Sequence, residues 1–160
     1  MDRRQLLCCG ASAPLAAIAL PVRADDACAA NPAHAALLDR YAAALNAHDT
    51  TPFPELFTEG YIQNSGRSPS GLQAQVANFQ RLFATMPDLR VRIDDRVIAG
   101  DKVVARTSYS ATHTQPLRGI PPTGKPFTFH TIDIWRVEGG KFAEHWDLTD
   151  TAEVLNRLRE

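Results

Sequence analysis

Cysteine is scarce in this chain, and its positions matter more than its number. Of three in 160 residues, Cys8 and Cys9 fall within the first ten positions and Cys28 stands alone beyond them. A lone cysteine closes no internal disulfide, so the folded part has to be held by its core. An excess of one charge is also missing, with 17 basic against 18 acidic residues and a net charge of −1. There is no basic stripe for nucleic acid and no cationic amphipathic helix for a membrane surface. A Gly-x-Ser-x-Gly elbow, a Gly-rich phosphate loop, a dinucleotide fingerprint and a His-x-x-x-His spacing are all lacking. His130 and Asp133 have opposite strand parity, so they do not pair as metal ligands. Neither a metal nor a cofactor is expected.

Long apolar runs are limited to one. Leu6 to Val22 follows Arg3-Arg4, is broken by Pro14, and ends at Val22-Arg23-Ala24. It is shorter than the roughly 20 residues that a spanning helix needs. Residues 1–24 therefore read as a cleaved export signal, and Arg3-Arg4-Gln5-Leu6-Leu7 resembles a twin-arginine signal. Removing them takes away three basic residues and one acidic residue, leaving a net charge of −3. Residues 25–160 are expected to form one domain, periplasmic or secreted, with no membrane contact in the mature form.

What is present is patterned. Leu37, Leu38, Tyr41 and Leu45 recur at helical spacing after Asn31-Pro32, and the pattern breaks at His48-Asp49. A helical turn over Phe53–Phe57 leads to Tyr61-Ile62-Gln63-Asn64 and a Gly/Ser/Pro loop. A second long helix starts at Ser70, with Gln73 at capping-box spacing, and carries Leu72, Val76, Phe79, Leu82, Phe83 and Met86 until Pro87 stops it. The period then changes to two. Leu89–Ile93, Lys102–Thr114, Phe127–Val137 and Lys141–Leu148 read as strands, the last two joined at Gly139-Gly140. Asp150 with Glu153 is placed to cap a short terminal helix that buries Val154, Leu155 and Leu158. Helices followed by a meander make an α+β domain. The expected form is a cone-shaped α+β barrel, a curved antiparallel sheet wrapped around the N-terminal helices.

Parity sorts the polar residues of the strands. Thr131, Asp133 and Trp135 share one face, as do His145, Asp147 and Thr149, while Phe142, Glu144, Trp146 and Leu148 take the other face of the last strand. Periodicity alone leaves open which faces point inward. Asp147 can take a proton next to a carbonyl if a dry wall surrounds it, and Asp133 is a second carboxylate close by. An ion pair of Asp133 with Arg106 or Arg136 is the structural alternative. His145 is placed to orient Asp147 or hold an oxyanion, or simply to pack. Gln63 and His113 are candidate hydrogen-bond partners for a substrate carbonyl.

The runs His113-Thr114, Gly119-Ile120-Pro121-Pro122-Thr123-Gly124-Lys125, Ile132–Lys141 and Glu144-His145-Trp146-Asp147 resemble the SnoaL-like polyketide cyclases. Those belong to the ketosteroid-isomerase-like and nuclear transport factor 2-like superfamily. The resemblance covers roughly residues 33–158 and includes Tyr61-Ile62-Gln63 as a pocket segment. It implies that the Asp133 and Asp147 faces point inward, with Asp147 as general acid and base for an aldol ring closure. Asp133 falls where the cyclases carry a histidine, Thr131 where they carry a glutamine, and Gln63 where they carry an asparagine.

The resulting expectation is an exported, cofactor-independent acid–base enzyme for a small apolar carbonyl compound, performing aldol-type cyclisation or enolisation. Its catalytic residues are expected to be Asp147, His145 and Asp133, with Gln63, His113, Thr131 and Tyr61 binding substrate. Two alternatives stand beside it. One is an epoxide hydrolase or dehydratase built on an Asp–Arg–Asp set around Arg106 or Arg136. The other is a non-catalytic periplasmic module binding a lipophilic molecule. A homodimer is expected, because one sheet face otherwise leaves Trp and Ile exposed.

Overall fold

Asn31 caps the first helix by accepting a hydrogen bond from Ala33 N at 2.9 Å, ahead of Pro32, whose missing N–H costs nothing at a helix start. The computed structural model describes residues 30–160. The expected export segment 1–24 and Cys28 lie outside the described residues. Helix α1 (Pro32–Asn46) buries Leu37, Leu38, Tyr41 and Leu45, the stripe its spacing predicts, and Ala44 beside them. His48 turns the chain in a left-handed conformation, φ 53°. A single helical turn, α2 (Phe53–Leu56), then runs straight into β1 (Phe57–Gln63).

Helix α3 (Leu72–Thr85) follows the Gly/Ser/Pro loop and ends before Pro87. Its start differs from the capping-box expectation. Gly71 is the N-cap, and the Ser70 hydroxyl instead accepts from Gln63 N at 3.0 Å, tying the loop back to β1. Strands β2 (Arg90–Ala99), β3 (Lys102–Thr112), β4 (Pro126–Glu138) and β5 (Lys141–Thr149) form the predicted meander, and α4 (Thr151–Arg159) closes the chain. Gly139 and Gly140 both take positive φ, 57° and 76°, which a two-residue primed turn demands. Asp150 does not cap α4 with its side chain; its carboxylate accepts from His130 N at 2.7 Å and fastens the end of β5 to β4.

The strand order is β1-β5-β4-β3-β2, antiparallel except for β1, which runs parallel to β5. This corrects the closed, cone-shaped barrel. The α+β class holds, but β1 and β2 are free edges of an open, mixed sheet. The reason is packing. Helix α1 lies against β2 and β3, and α3 against β1, so helices occupy the space that ladder closure would need. The short strand β1 is itself absent from the alternation pattern. Thr58, Glu59 and Gly60 follow Phe57 with no apolar period, and pairing with β5 defines the strand.

Strict parity on β5 also needs correcting. Arg136 pairs with Glu144 and Val137 with Phe142, so Ala143 is an extra residue in the ladder. That bulge turns Phe142 inward, fully buried, while His145 keeps its inward place. At this end of the sheet an aromatic cluster fills the concave side. Tyr41 meets Trp135 at 5.6 Å and Phe142 at 5.8 Å between ring centroids, and Trp135 meets Phe142 at 5.0 Å. Such packing supplies most of the favourable folding term in a domain without disulfides. The other end of the concave side is hollow. No described helix is long and apolar enough to cross a membrane.

Candidate active site

Phe127, Phe129, Thr131 and Asp133 follow one another along the inner face of β4, and the hollow they line measures about 270 Å³. That lies just below the roughly 300–1,000 Å³ common for ligand pockets, which restricts the occupant to a small molecule. Trp135, the next inward residue, belongs to the aromatic cluster with Tyr41 and Phe142. The walls are largely apolar, from Phe79, Leu82 and Met86 of or just after α3 to Val154 and Leu155 of α4.

Asp133 is 3 % exposed, and its charge is met by three donors. His145 Nε2 lies 3.0 Å from Oδ1, and Thr107 Oγ1 donates to Oδ2 at 3.2 Å. Thr131 Oγ1 also donates to Oδ2. The structural alternative, an ion pair with Arg106 or Arg136, is corrected here. Arg106 reaches Asp94, and Arg136 reaches Glu138 and Glu144. The parity that puts Asp133 inside puts both arginines on the opposite face.

The hydrogen bonds set the tautomer of His145. Ser65 N donates to Gln63 Oε1 at 3.2 Å, which leaves Gln63 Nε2 facing His145 Nδ1 at 3.0 Å. Nδ1 then accepts and Nε2–H donates to Asp133. Both ring nitrogens are occupied, and the ring stacks on Trp135 at 4.9 Å and 7°. His145 thus holds Asp133, and Gln63 holds His145.

Asp147 stands opposite Asp133 in the β4–β5 register. Its Oδ2 is paired with Arg67, which reaches in from the loop after β1. Its Oδ1 is buried and has no partner. Partial burial draws the Arg67 guanidinium below the ordinary arginine range and Arg118 acts the same way, while the charge of Asp133 opposes both. Arginine nonetheless keeps its proton in proteins, so Asp147 has a fixed cation beside one oxygen and a free lone pair on the other. Arg118 is exposed at the rim, in a left-handed conformation (φ 47°) at the tip of a turn closed by Leu117 and Ile120.

Thr131, Asp133, His145, Asp147 and Gln63 all line the hollow. Two expected binding residues stand elsewhere. Tyr61 is fully buried behind the wall, near-parallel to His145 at 6.5 Å, and burial followed by the charge of Asp133 raises its phenol far above the ordinary range. His113 is buried in the Pro-Pro loop, with Nδ1 3.0 Å from Thr123 Oγ1 and its backbone bonded to Lys125 and Gly124. It fastens that loop rather than facing the hollow. Sequence reasoning missed Arg67, Gln75, Arg118 and Thr149. For Arg67 a cue existed, since it is the one charged residue between Gln63 and Ser70. Among the described residues no three His, Cys, Asp or Glu side chains converge as a metal would require.

A curved sheet backed by helices, with facing carboxylates in a small hollow, defines an α+β pocket protein for a small organic molecule. More particularly, the chain belongs to the SnoaL-like polyketide cyclase family, whose model matches residues 35–158. It is similar to TsrD from Streptomyces laurentii, at 31% identity and TM-score 0.74, over 80% of this chain and 96% of that one. It is also similar to IdmH from Streptomyces antibioticus, at 26% identity and TM-score 0.69, over 79% and 98% of the two chains. A SnoaL-like polyketide cyclase from Agrobacterium tumefaciens, 22% identical with TM-score 0.68 over 76% and 94%, shares the fold. None of the curated proteins matches. Membership places the chain among cyclase- or isomerase-type enzymes acting on small organic molecules.

Proposed function

We propose that this protein is a cofactor-independent acid–base enzyme that enolises a small, mostly apolar carbonyl compound and thereby promotes aldol-type ring closure. The supporting observation is Asp147, which lines the hollow, has a buried and unpartnered Oδ1, and carries Arg67 on Oδ2. In this reading Oδ1 removes the proton from the carbon beside the carbonyl, and the electron pair moves onto the carbonyl oxygen. Negative charge leaves Asp147 as it forms on the substrate, and Arg67 remains as its counter-ion. When the enolate carbon attacks a second carbonyl, Asp147 returns its proton to the new alkoxide. Proton transfer of this kind supplies about 10²- to 10⁴-fold, and a preorganised charge partner in a dry site adds about 10²- to 10³-fold.

Asp133, His145 and Gln63 act on this step by position. Asp133 accepts hydrogen bonds on both oxygens and stands across the ladder from Asp147, so crowding of the two carboxyls favours proton uptake by Asp147. One observation favours a second reading. Arg67 with Asp147 and Asp133 makes the acid–base set an epoxide hydrolase or dehydratase uses, although around Arg67 and not Arg106 or Arg136. The three donors on Asp133 weigh against it, since both its oxygens are already engaged by Thr107, Thr131 and His145.

The outer face of β4 and β5 leaves Ile132, Ile134, Trp146 and Leu148 exposed, in the cross-strand pairs Ile132–Leu148 and Ile134–Trp146. This supports the expected homodimer, with a second copy covering that row. The enzymatic reading is tested by incubating wild type and Asp147→Asn with a set of cyclic and 1,3-dicarbonyl ketones and following depletion by mass spectrometry. Depletion by wild type alone, with equal affinity in both, supports it. Equal affinity with no depletion by either leaves a binding module.

A further inference from the structure

Gln75, Phe79 and Leu82 stand at i, i+4 and i+7 of α3, one stripe of the helix, and all three line the hollow. Phe79 and Leu82 pack as an amphipathic helix requires. Gln75 breaks the rule. It is 3 % exposed, and its Oε1 has no hydrogen-bond partner. A buried amide oxygen without a donor has given up its bond to water for nothing, whereas a leucine in the same place loses nothing of the kind. The helix has no need of the amide either, for the backbone N–H of Gln75 is already bonded to Gly71 O at 3.1 Å. On the sheet wall, β5 offers two more buried oxygens without partners, Asp147 Oδ1 and Thr149 Oγ1. Residues that carry unpaired polar atoms thus line both the helix wall and the sheet wall of one hollow, with Phe79, Leu82 and Phe129 among the apolar surface between.

We infer that Gln75 is a substrate-reading residue, whose amide oxygen accepts a hydrogen bond from a hydroxyl group on the ligand. The inference rests on the hollow being the substrate site and narrows the substrate class. The molecule carries a reactive carbonyl at the Asp147 end and a hydroxyl donor, such as a phenol, at the α3 end, joined by an apolar frame. Two fixed polar points orient such a molecule, so that only one C–H meets Asp147. They also discriminate. A site built to bond a hydroxyl rejects the analogue without it more strongly than an apolar pocket rejects a change of size.

The test compares 2-naphthol with 2-methoxynaphthalene, which share a ring system but not a donor, by fluorescence titration of wild type and Gln75→Leu. Wild type is expected to prefer the naphthol by roughly tenfold, the equivalent of one good neutral hydrogen bond. Gln75→Leu is expected to bind the two about equally and, unliganded, to melt no lower than wild type, since it loses an unpaired polar atom. A preference that survives in Gln75→Leu overturns the assignment of Gln75 while leaving the hollow as the site. So does a lowered melting temperature of the unliganded variant, which would mean the amide has a structural partner. Failure of wild type to bind either probe overturns the inference together with the reading of the hollow on which it rests.

Discussion

Asp133 and Asp147 face one another across the β4–β5 ladder in register, yet their charges are balanced in different ways. Asp133 is closed off by Thr107, Thr131 and His145, whereas Asp147 is held on one oxygen by Arg67 and left open on the other. Like charges directly opposite on one face are destabilising, so the donors around them are a condition of the fold as well as of the site.

Arg67 is the cheapest part of this arrangement to remove, since it comes from a loop. Arg67→Met is expected to fold with reduced stability, because Asp147 loses its cation, and to lose about 10²- to 10³-fold in kcat, the usual worth of a preorganised charge partner. Steady-state kinetics on the ketone found in the depletion screen measures it. A change confined to KM would assign Arg67 to substrate capture instead.

Thr107 and Thr131 both donate to Asp133 Oδ2. Replacing either with valine keeps the shape and removes a donor from a buried carboxylate. Each variant is expected to lose about 1–3 kcal/mol in urea unfolding. The double variant should lose more than the sum, because one donor partly compensates for the other.

The acid limb of stability has an identifiable contributor. Asp88 accepts hydrogen bonds from Thr112 N at 3.0 Å and from Thr112 Oγ1 at 2.7 Å, and these hold its carboxyl below the ordinary aspartate range. A depressed folded-state pKa means that this stabilisation is fully present above the unfolded value of about 3.9 and is lost as pH falls through the folded one. Asp88→Asn is therefore expected to lower the melting temperature near neutral pH and to converge with wild type in acid, so that its fall on the acid side is flatter. Thermal melts across that range decide the point.

The outer row of β4 and β5 predicts assembly. Leu148→Glu places a charge in the middle of that row, opposite Ile132, and is expected to convert a dimer to a folded monomer on light-scattering chromatography. A monomeric wild type, or a variant that stays dimeric, would remove the second copy from this row.

How much of this was legible beforehand follows from which interactions are local. The alternation of β4 put Thr131 with Asp133, that of β5 put His145 with Asp147, and the stripe of α1 gave most of its buried residues, because period alone sets those directions, while the family resemblance turned the two strand faces inward. Two features depend on pairing partners instead. Strand β1 exists through its parallel ladder with β5, and the bulge at Ala143 turns Phe142 inward against its parity. The open sheet follows from where α1 and α3 sit, which no alternation encodes. Arg67 and Gln75 were illegible for a third reason. One belongs to a loop whose path is set by Ser70 and Gln63, and the other is a polar residue on an apolar stripe, which reads as solvent-facing until its burial is known.

The central claim is that Asp147 removes a proton from carbon. Proton NMR in D₂O follows this directly, through exchange of the α-protons of 2-tetralone with wild type and with Asp147→Asn. The account predicts catalysed exchange by wild type and a loss of about 10²- to 10⁴-fold in the variant, with 2-tetralone bound equally well by both. Exchange at the same rate in the two proteins, or no catalysed exchange by wild type despite binding, would contradict it.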